Sequence, residues 1–411
     1  MVRTPPEGGV GGNVARSGAV ANTTAVVRIM NERAVYEQVR RLGPVSASQL
    51  VAATGLSKPT IGLALGSLER AGLIRHVGHR VGQVGRAPRL YEIRPEAGWA
   101  LAIDIGASWL RAAVADLAGR IAVRHEERVR ARTAASLLRQ IGELAESVPA
   151  KAGLAFADVT HTVLGIPGVY EPETDEITTA PNLPGWDGPW AVESLRSRLG
   201  ERFSIDNDVN LATLAEQAYG LGATVRDFVF VSVGTGVGMG IMVDGRLYRG
   251  PHGRAGEISF LPVGDEDAAR VRDAPSTRQH GILETVASGD GVVATAVRLG
   301  MAVESAEQVF DAARAGDDAA TRVIGIEVDH LARALTSVIA VLDPGLIVLG
   351  GGVGSNVDVL LEPIHRKLRD LLPFDPPPIR ASAVGRESVV LGGLAAGLDT
   401  ARDMALAQME A

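Results

Sequence analysis

The hydrophobic positions follow two periods, one in the first hundred residues and another after them. In "NERAVYEQVRRL" (31–42), Ala34, Val35, Val39 and Leu42 recur at helical spacing, which predicts a helix with one buried face. Gly43 and Pro44 end it. "VSASQLVAATG" predicts a second short helix, with Ser46 or Ser48 as N-cap and Gly55 as the closing residue. "LSKPTIGLALGSLERAGLI" predicts a third, capped by Ser57, with Pro59 in the first turn where its missing N–H costs little. Ile61, Leu65 and Leu68 share one face of it. Gly62 and Gly66 sit inside the same helix, although each costs roughly 0.5–1 kcal/mol there relative to alanine. "RHVGHRVGQVGRAPRLYEI" then reads as two short strands around a basic, glycine-rich loop.

After "RPEAGWA" the texture becomes that of strands. "ALAIDIGASWLRAAVADLAGRI" (100–121) is a strand, a glycine turn at Gly106 and a second strand. "DFVFVSVGTGVGMGIMVDGRLY" (227–248) repeats the plan around "GTGVG" and adds an Asp-Gly hairpin turn. A third strand-and-glycine unit, "LIVLGGGVGSN", occupies 346–356. One design used twice predicts a duplicated lobe. "DDAATRVIGIEVDHLARALTSVIAVLD" predicts one long helix, and "FDPPPI" a rigid loop before the last strand.

Composition narrows the function classes. The 411 residues include no cysteine, which excludes disulfides, a thiolate nucleophile and any cysteine-based zinc site, and fits a reducing cytoplasmic setting. No apolar run approaches the ~20 residues of a membrane span. The opening 22 residues are expected to form a disordered tail. Charge is uneven: residues 1–96 carry 13 Lys or Arg against six Glu, a net +7, in a chain whose total is −7. A basic head on an acidic body suits a head that meets a polyanion.

The three predicted helices followed by a basic hairpin look like a winged helix-turn-helix. Ser57, Lys58 and Thr60 would begin its recognition helix, and Arg75, Arg80, Arg86 and Arg89 would reach phosphates or the minor groove. The plainer alternative is a small helical oligomerisation module. In the body, glycine turns allow backbone N–H groups to approach an anion closely, and two such hairpins with a third glycine turn describe a nucleotide cleft between lobes. "SIDNDVN" (204–210) precedes an apolar helix, so Asn207 or Asp208 could be no more than its N-cap.

In order along the chain, "GLSKPTIGLALGSLERAGLI", "AIDIGASWLRAAVADLAG", "GIPGVYEPETDEITTAPNLPGW", "IDNDVNLATLAE", "VGTGVGMGIMVDGRLYRGPHGRAGEI" and "LDPGLIVLGGGV" resemble the ROK family of repressors and sugar kinases. The resemblance runs from about residue 24 to the end and lies with the regulator branch, similar to its xylose and N-acetylglucosamine repressors. It implies an α/β chain in which a winged helix-turn-helix precedes a two-lobed, actin-like domain, duplicated and ribonuclease H-like, of the sugar-kinase type. The implied division is a tail (1–22), the head (23–96), a smaller lobe (97–222 with 389–411) and a larger lobe (223–388).

By the same resemblance, Asp208 matches the base that deprotonates the attacking sugar hydroxyl in family kinases. Asn182, Asn207, Glu257 and Glu284 match sugar-binding residues, and acids with amides suit hydroxyls that both donate and accept. Asp104, Gly106, Gly234, Thr235, Gly236 and Gly351 match the nucleotide loops. The chain departs from the kinase pattern at three places. Phe260 replaces a histidine of the structural zinc site, and Ile282 a cysteine. No metal or other cofactor is therefore expected; Asp265, Asp267 and His280 are imaginable substitutes, but a solvated loop is the plainer reading. In "DIGASW", Ala107 and Ser108 replace glycine and threonine, and Trp109 brings a bulky ring. The reading is a sugar-responsive regulator of carbohydrate genes, repressor by the commoner family behaviour and not an enzyme. Its expected partners are operator DNA, a sugar or sugar phosphate effector, and further copies of itself as a homodimer or homotetramer. The alternative is an ATP-dependent sugar kinase that retains a DNA-binding head.

Overall fold

The computed structural model describes residues 15–79, 88–180, 183, 185–263 and 275–409. Arg80, Arg86, Asn182, Asp265, Asp267 and residues 1–14 lie outside them. The chain divides into two compact units: residues up to Gly98 with Asp116–Ala118 and Arg402–Ala411, and Trp99–Ala115 with Gly119–Ala401.

The first unit holds α1 (Ala15–Leu42), β1 (Val45–Ser46), α2 (Ala47–Thr54), α3 (Lys58–Arg70), β2 (Ile74–His79) and β3 (Arg89–Ile93). α1 begins earlier than its apolar periodicity, so residues 15–22, expected in a disordered tail, are helical. Once the turns carrying Val35, Tyr36 and Val39 are packed, extending the helix through an alanine-containing run adds a hydrogen bond per residue without a new nucleus. Ser46 caps α2 in a reciprocal box with Gln49, and Gly55 closes it in the left-handed region at φ 71°. Ser57 caps α3. Ile61, Leu65 and Leu68 are all buried, packed with Val35, Val39, Leu50 and Tyr91. β2 and β3 pair antiparallel, and β1 adds to the free edge of β3.

Leu406, near the chain's end, belongs to this same core. The sequence division placed 389–411 wholly with the smaller lobe; residues from Arg402 instead belong to the first unit. Arg402 donates to the Leu117 carbonyl at 3.2 and 3.0 Å, and Asp403 pairs with Arg33 at 2.6 Å.

The second unit begins with β4 (Trp99–Ile105), β5 (Trp109–Asp116), β6 (Ile121–Arg128), α4 (Ala134–Ala150) and β7 (His161–Ile166). The hairpin β8 (Val169–Glu171) and β9 (Glu176–Thr178) follows, then α5 (Pro189–Leu199), β10 (Phe203–Asn207) and α6 (Asp208–Tyr219). Next come β11 (Phe228–Val233), β12 (Val237–Val243), β13 (Arg246–Leu247), α7 (Pro275–His280), α8 (Ile282–Ala287) and α9 (Gly289–Arg298). The chain continues through α10 (Ala306–Arg314), the long α11 (Asp318–Leu342), β14 (Ile347–Gly350) and α12 (Gly351–Gly354). It finishes with α13 (Val357–Leu371), β15 (Ile379–Ala381) and α14 (Ser388–Ala407).

The two five-stranded sheets share one plan. In strand order they read β6-β5-β4-β7-β10 and β13-β12-β11-β14-β15. The last three strands of each run parallel, and the hairpin strand before them is antiparallel to its outer neighbour. The repeat inferred from the glycine hairpins is therefore a repeat of topology. α6 lies against β12 so closely that a Cβ at Gly240 would come within 1.9 Å of the Thr213 hydroxyl. That contact carries the N-terminus of α6, which leaves the first sheet, against a strand of the second.

Candidate functional site

β10 ends and α6 begins at Asn207–Asp208, so both side chains stand where the two halves of the second unit meet. Asn207 is the N-cap. Its Oδ1 accepts from the N–H groups of Val209 and Asn210 at 2.9 and 3.3 Å, and its Nδ2 donates to the Gly168 carbonyl at 3.2 Å. Capping and ligand contact are compatible here, because the residue also lines a cavity of about 370 Å³. That volume is in the range of small-molecule sites.

From the first half, Asp104, Gly106, Ala107, Arg111 and Asp208 line the same cavity. From the second come Gly234, Thr235, Gly236, Glu257, Glu284 and Gly351. The fold thus collects every described residue assigned to the sugar or the nucleotide loops into one wall. The glycine turns are tight: Gly234 N–H donates to the Gly236 carbonyl at 2.9 Å, and Gly289 N–H to the Gly234 carbonyl at 2.7 Å. Gly351 adopts φ 81°, and a Cβ there would strike the Val233 carbonyl at 2.3 Å.

The carboxylates crowd one another. Part of Asp208 opens onto the cavity, but its carboxyl is enclosed by protein, and burial with the charges of Asp104 and Glu257 pushes it up to about 7. Val209 N–H, 2.8 Å away, opposes this only in part. Burial raises Asp104 to about 6, held back by Arg111 at 3.3 Å. Glu257 is raised by burial and by Glu284, against the nearby Arg254. Glu284 is anchored at both oxygens, accepting from Val237 N–H at 2.8 Å and meeting His280 Nδ1 at 2.7 Å. A neutral ligand with several hydroxyls can donate to such acids without adding charge.

The departures from the kinase pattern resolve differently. Ala107 lines the cavity, so a methyl stands at the turn that corresponds to the first phosphate loop of the kinases. Trp109 does not line it: its ring packs against the Arg128 guanidinium, 4.5 Å from the ring centroid. The bulk expected from Trp109 is therefore directed elsewhere. Phe260, 46% exposed, forms part of the wall. Trp186 is fully buried, whereas Trp190 is exposed. Among the described residues no group of three or more acids and histidines could hold a metal ion.

In the first unit, Ser57 accepts from Thr60 N–H at 3.3 Å and its hydroxyl meets that of Thr60 at 2.8 Å, so both are engaged in the cap. Lys58 and Arg89 are exposed. Arg75 is held by Glu92 at 2.9 Å and Glu96 at 3.1 Å.

The ROK family profile matches residues 100–395. The chain belongs to the ROK family. A xylose repressor of Caldicellulosiruptor bescii is 24% identical over 85% of this chain and 91% of its own. A glucokinase of Halalkalibacterium halodurans is 29% identical over 72% of this chain and 93% of its own. Among solved structures, a ROK transcriptional regulator described as a homologue of the Escherichia coli MLC protein superposes with a TM-score of 0.76 at 23% identity, covering 93% of this chain and 98% of that one. The ROK hexokinase of Thermus thermophilus gives 0.62 at 26% identity, covering 74% and 99%.

Beyond the motif residues, this ROK chain uses side chains that sequence reasoning passed over. Asp206 sits within "IDNDVN", directly before Asn207 and Asp208. It accepts from Asn207 N–H and Asn210 Nδ2, and binds Arg249 at 2.6 and 3.1 Å. Glu171 pairs with Arg254 in the same way. Both arginines lie in "LYRGPHGRAG", which joins the second half to acids of the first. A basic residue opposite an acid more than forty positions away leaves no local signal. Arg386 and Gln279 also line the cavity, for the same reason invisibly. No helix among the described residues is long and apolar enough to cross a membrane.

Proposed function

We propose that this ROK-family chain is a sugar-responsive transcriptional regulator, a repressor of carbohydrate genes. The observation that carries the reading is the convergence of Asn207, Asp208, Glu257 and Glu284 on one cavity, in a chain that also has a basic three-helix head. The similarity to a xylose repressor over 85% of the chain supports it, since the glucokinase match covers 72%. In this reading α2 and α3 form a helix-turn-helix, the β2–β3 hairpin is its wing, and a dimer or tetramer supplies two heads for symmetric half-sites. The sugar enters the cavity of the second unit and meets Asn207, Asp208, Glu257 and Glu284. It changes DNA affinity only by the difference in its affinity for the two functional states.

The test is anisotropy of labelled duplexes from the gene's own upstream region, titrated with the full chain at several salt concentrations and with a panel of hexoses, pentoses and amino sugars. The expected result is salt-dependent binding that one sugar weakens, a response that Asp208→Ala abolishes while DNA binding without sugar persists. Absence of any salt-dependent DNA affinity sinks the reading. A sugar kinase is the second reading, favoured by an Asp208 carboxyl raised to about 7, where a general base works well. Phosphotransfer from ATP to a sugar, lost in Asp208→Asn, would establish it. Ala107 at the phosphate turn argues against it, because a Cβ obstructs close backbone approach to phosphate.

A further inference from the structure

α3 has a face that nothing inside the protein explains. Opposite its buried residues Ile61, Leu65 and Leu68 lie Pro59, Gly62, Leu63, Gly66 and Arg70, which fall together at 100° per residue. Both glycines have ordinary helical backbone, and a Cβ on either would meet nothing within 4 Å. No turn, close approach or left-handed conformation within the fold asks for glycine there, and each weakens the helix. Leu63 stands between them, 77% exposed. Along this face the helix presents backbone at the two glycines, the apolar Pro59 and Leu63, and Arg70, whose Nε donates to the Gly66 carbonyl at 3.1 Å, with the exposed Glu69 at its edge.

The surroundings select the occupant. Arg70 lies on the face and Lys58 beside it, and residues 1–96 carry a net +7, which suits a polyanion and opposes another copy of the same surface. In a DNA major groove the apolar feature on a base edge is the C5-methyl of thymine. We infer that α3 reads DNA by close backbone approach at Gly62 and Gly66, with Leu63 packed on thymine methyl groups at the centre of each half-site. The inference rests on the DNA-binding reading above and adds what that helix recognises.

The experiment begins with selection of duplexes from a randomised library by the full-length protein. The preferred duplex is then remade with deoxyuridine for each thymine in turn, which removes only the methyl group. Wild-type affinity should fall about tenfold at one or two thymines per half-site, and Leu63→Ala should bind more weakly and lose that sensitivity. Gly62→Ala and Gly66→Ala should raise the melting temperature, because alanine is the better helix former, yet weaken DNA binding about tenfold or more. This opposite movement separates a recognition role from a folding defect. If the three variants bind the selected duplex as wild type does, the inference fails while the regulator reading stands. A change in sedimenting mass without a change in DNA affinity would likewise overturn it, assigning the face to a second copy. If no duplex is enriched and no salt-dependent binding is seen, both fall together.

Discussion

Asp208 combines three roles that pull against one another: first residue of a helix, wall of a cavity and neighbour of two other acids. An acid whose folded pKa lies above its unfolded value binds more protons when folded. Stability is therefore greatest below the unfolded value near 3.8 and declines as pH rises toward about 7. Asp104, raised to about 6, acts in the same direction. Burial raises Glu327 and Glu257 as well, so the melting temperature should be higher near about pH 5 than near about pH 8, and Asp208→Asn should remove part of the difference. Sugar binding should show the opposite trend, because a hydroxyl donates to the ionised carboxylate: affinity rises as pH climbs through about 7. Calorimetric titration with the effector sugar on either side of that pH checks it, and Asp208→Asn should lose at least about tenfold at the higher pH. Equal affinities on both sides would remove Asp208 from the contact.

α6 shows how one element couples the cavity to the rest of its unit. At its start Asn207 satisfies two N–H groups, and Asn207→Ala should cost about 1 kcal/mol of stability by denaturant titration. Near its end Glu216, fully buried, accepts from Leu221 N–H at 2.9 Å, the Ser382 hydroxyl at 2.6 Å, and the N–H groups of Ala383 and Val384 at 2.9 and 3.2 Å. The loop preceding α14 is thereby held to α6. Glu216→Ala removes the shared acceptor of four part-buried donors, an expected loss of about 1–3 kcal/mol, and Glu216→Gln should recover part of it. An unchanged denaturation midpoint in the alanine variant would contradict this account. The start of α6 was legible in "IDNDVN", because a cap and the apolar run after it are local signals. Glu216 was not, since three of its four partners lie over 160 residues away.

The whole chain is two units, and the last ten residues belong to the first of them. Leu406 completes the head's apolar core, and Arg402 and Asp403 add polar ties to Leu117 and Arg33. A chain ending at Ala401 should therefore lose the head's thermal transition and its DNA affinity, while the second unit keeps its own transition and its sugar-dependent shift in scanning calorimetry. Retained DNA binding in that truncation would show that the core closes without Leu406. Inside the second unit, Arg249 with Asp206 and Arg254 with Glu171 join its halves beside the cavity. Arg249→Ala should weaken sugar binding severalfold without altering a ligand-contacting group, a long-range effect of about 1 kcal/mol.

Local chemistry determined much of this protein directly. Caps, turn residues and apolar periods specified α2 and α3, the glycine hairpins and the long α11, because each needs only neighbours within a few positions. The family motifs went further and named the groups that line the cavity. The extension of α1 back to Ala15, the turning of Trp109 toward Arg128, and the return of the chain's end to the head core had no such signal. Only the tertiary structure decided them, because each depends on which surface a distant segment happens to bury. The crowding that raises Asp208 is of the same kind: its acids are far apart in sequence and become one electrostatic group only when two sheets bring them to a single wall.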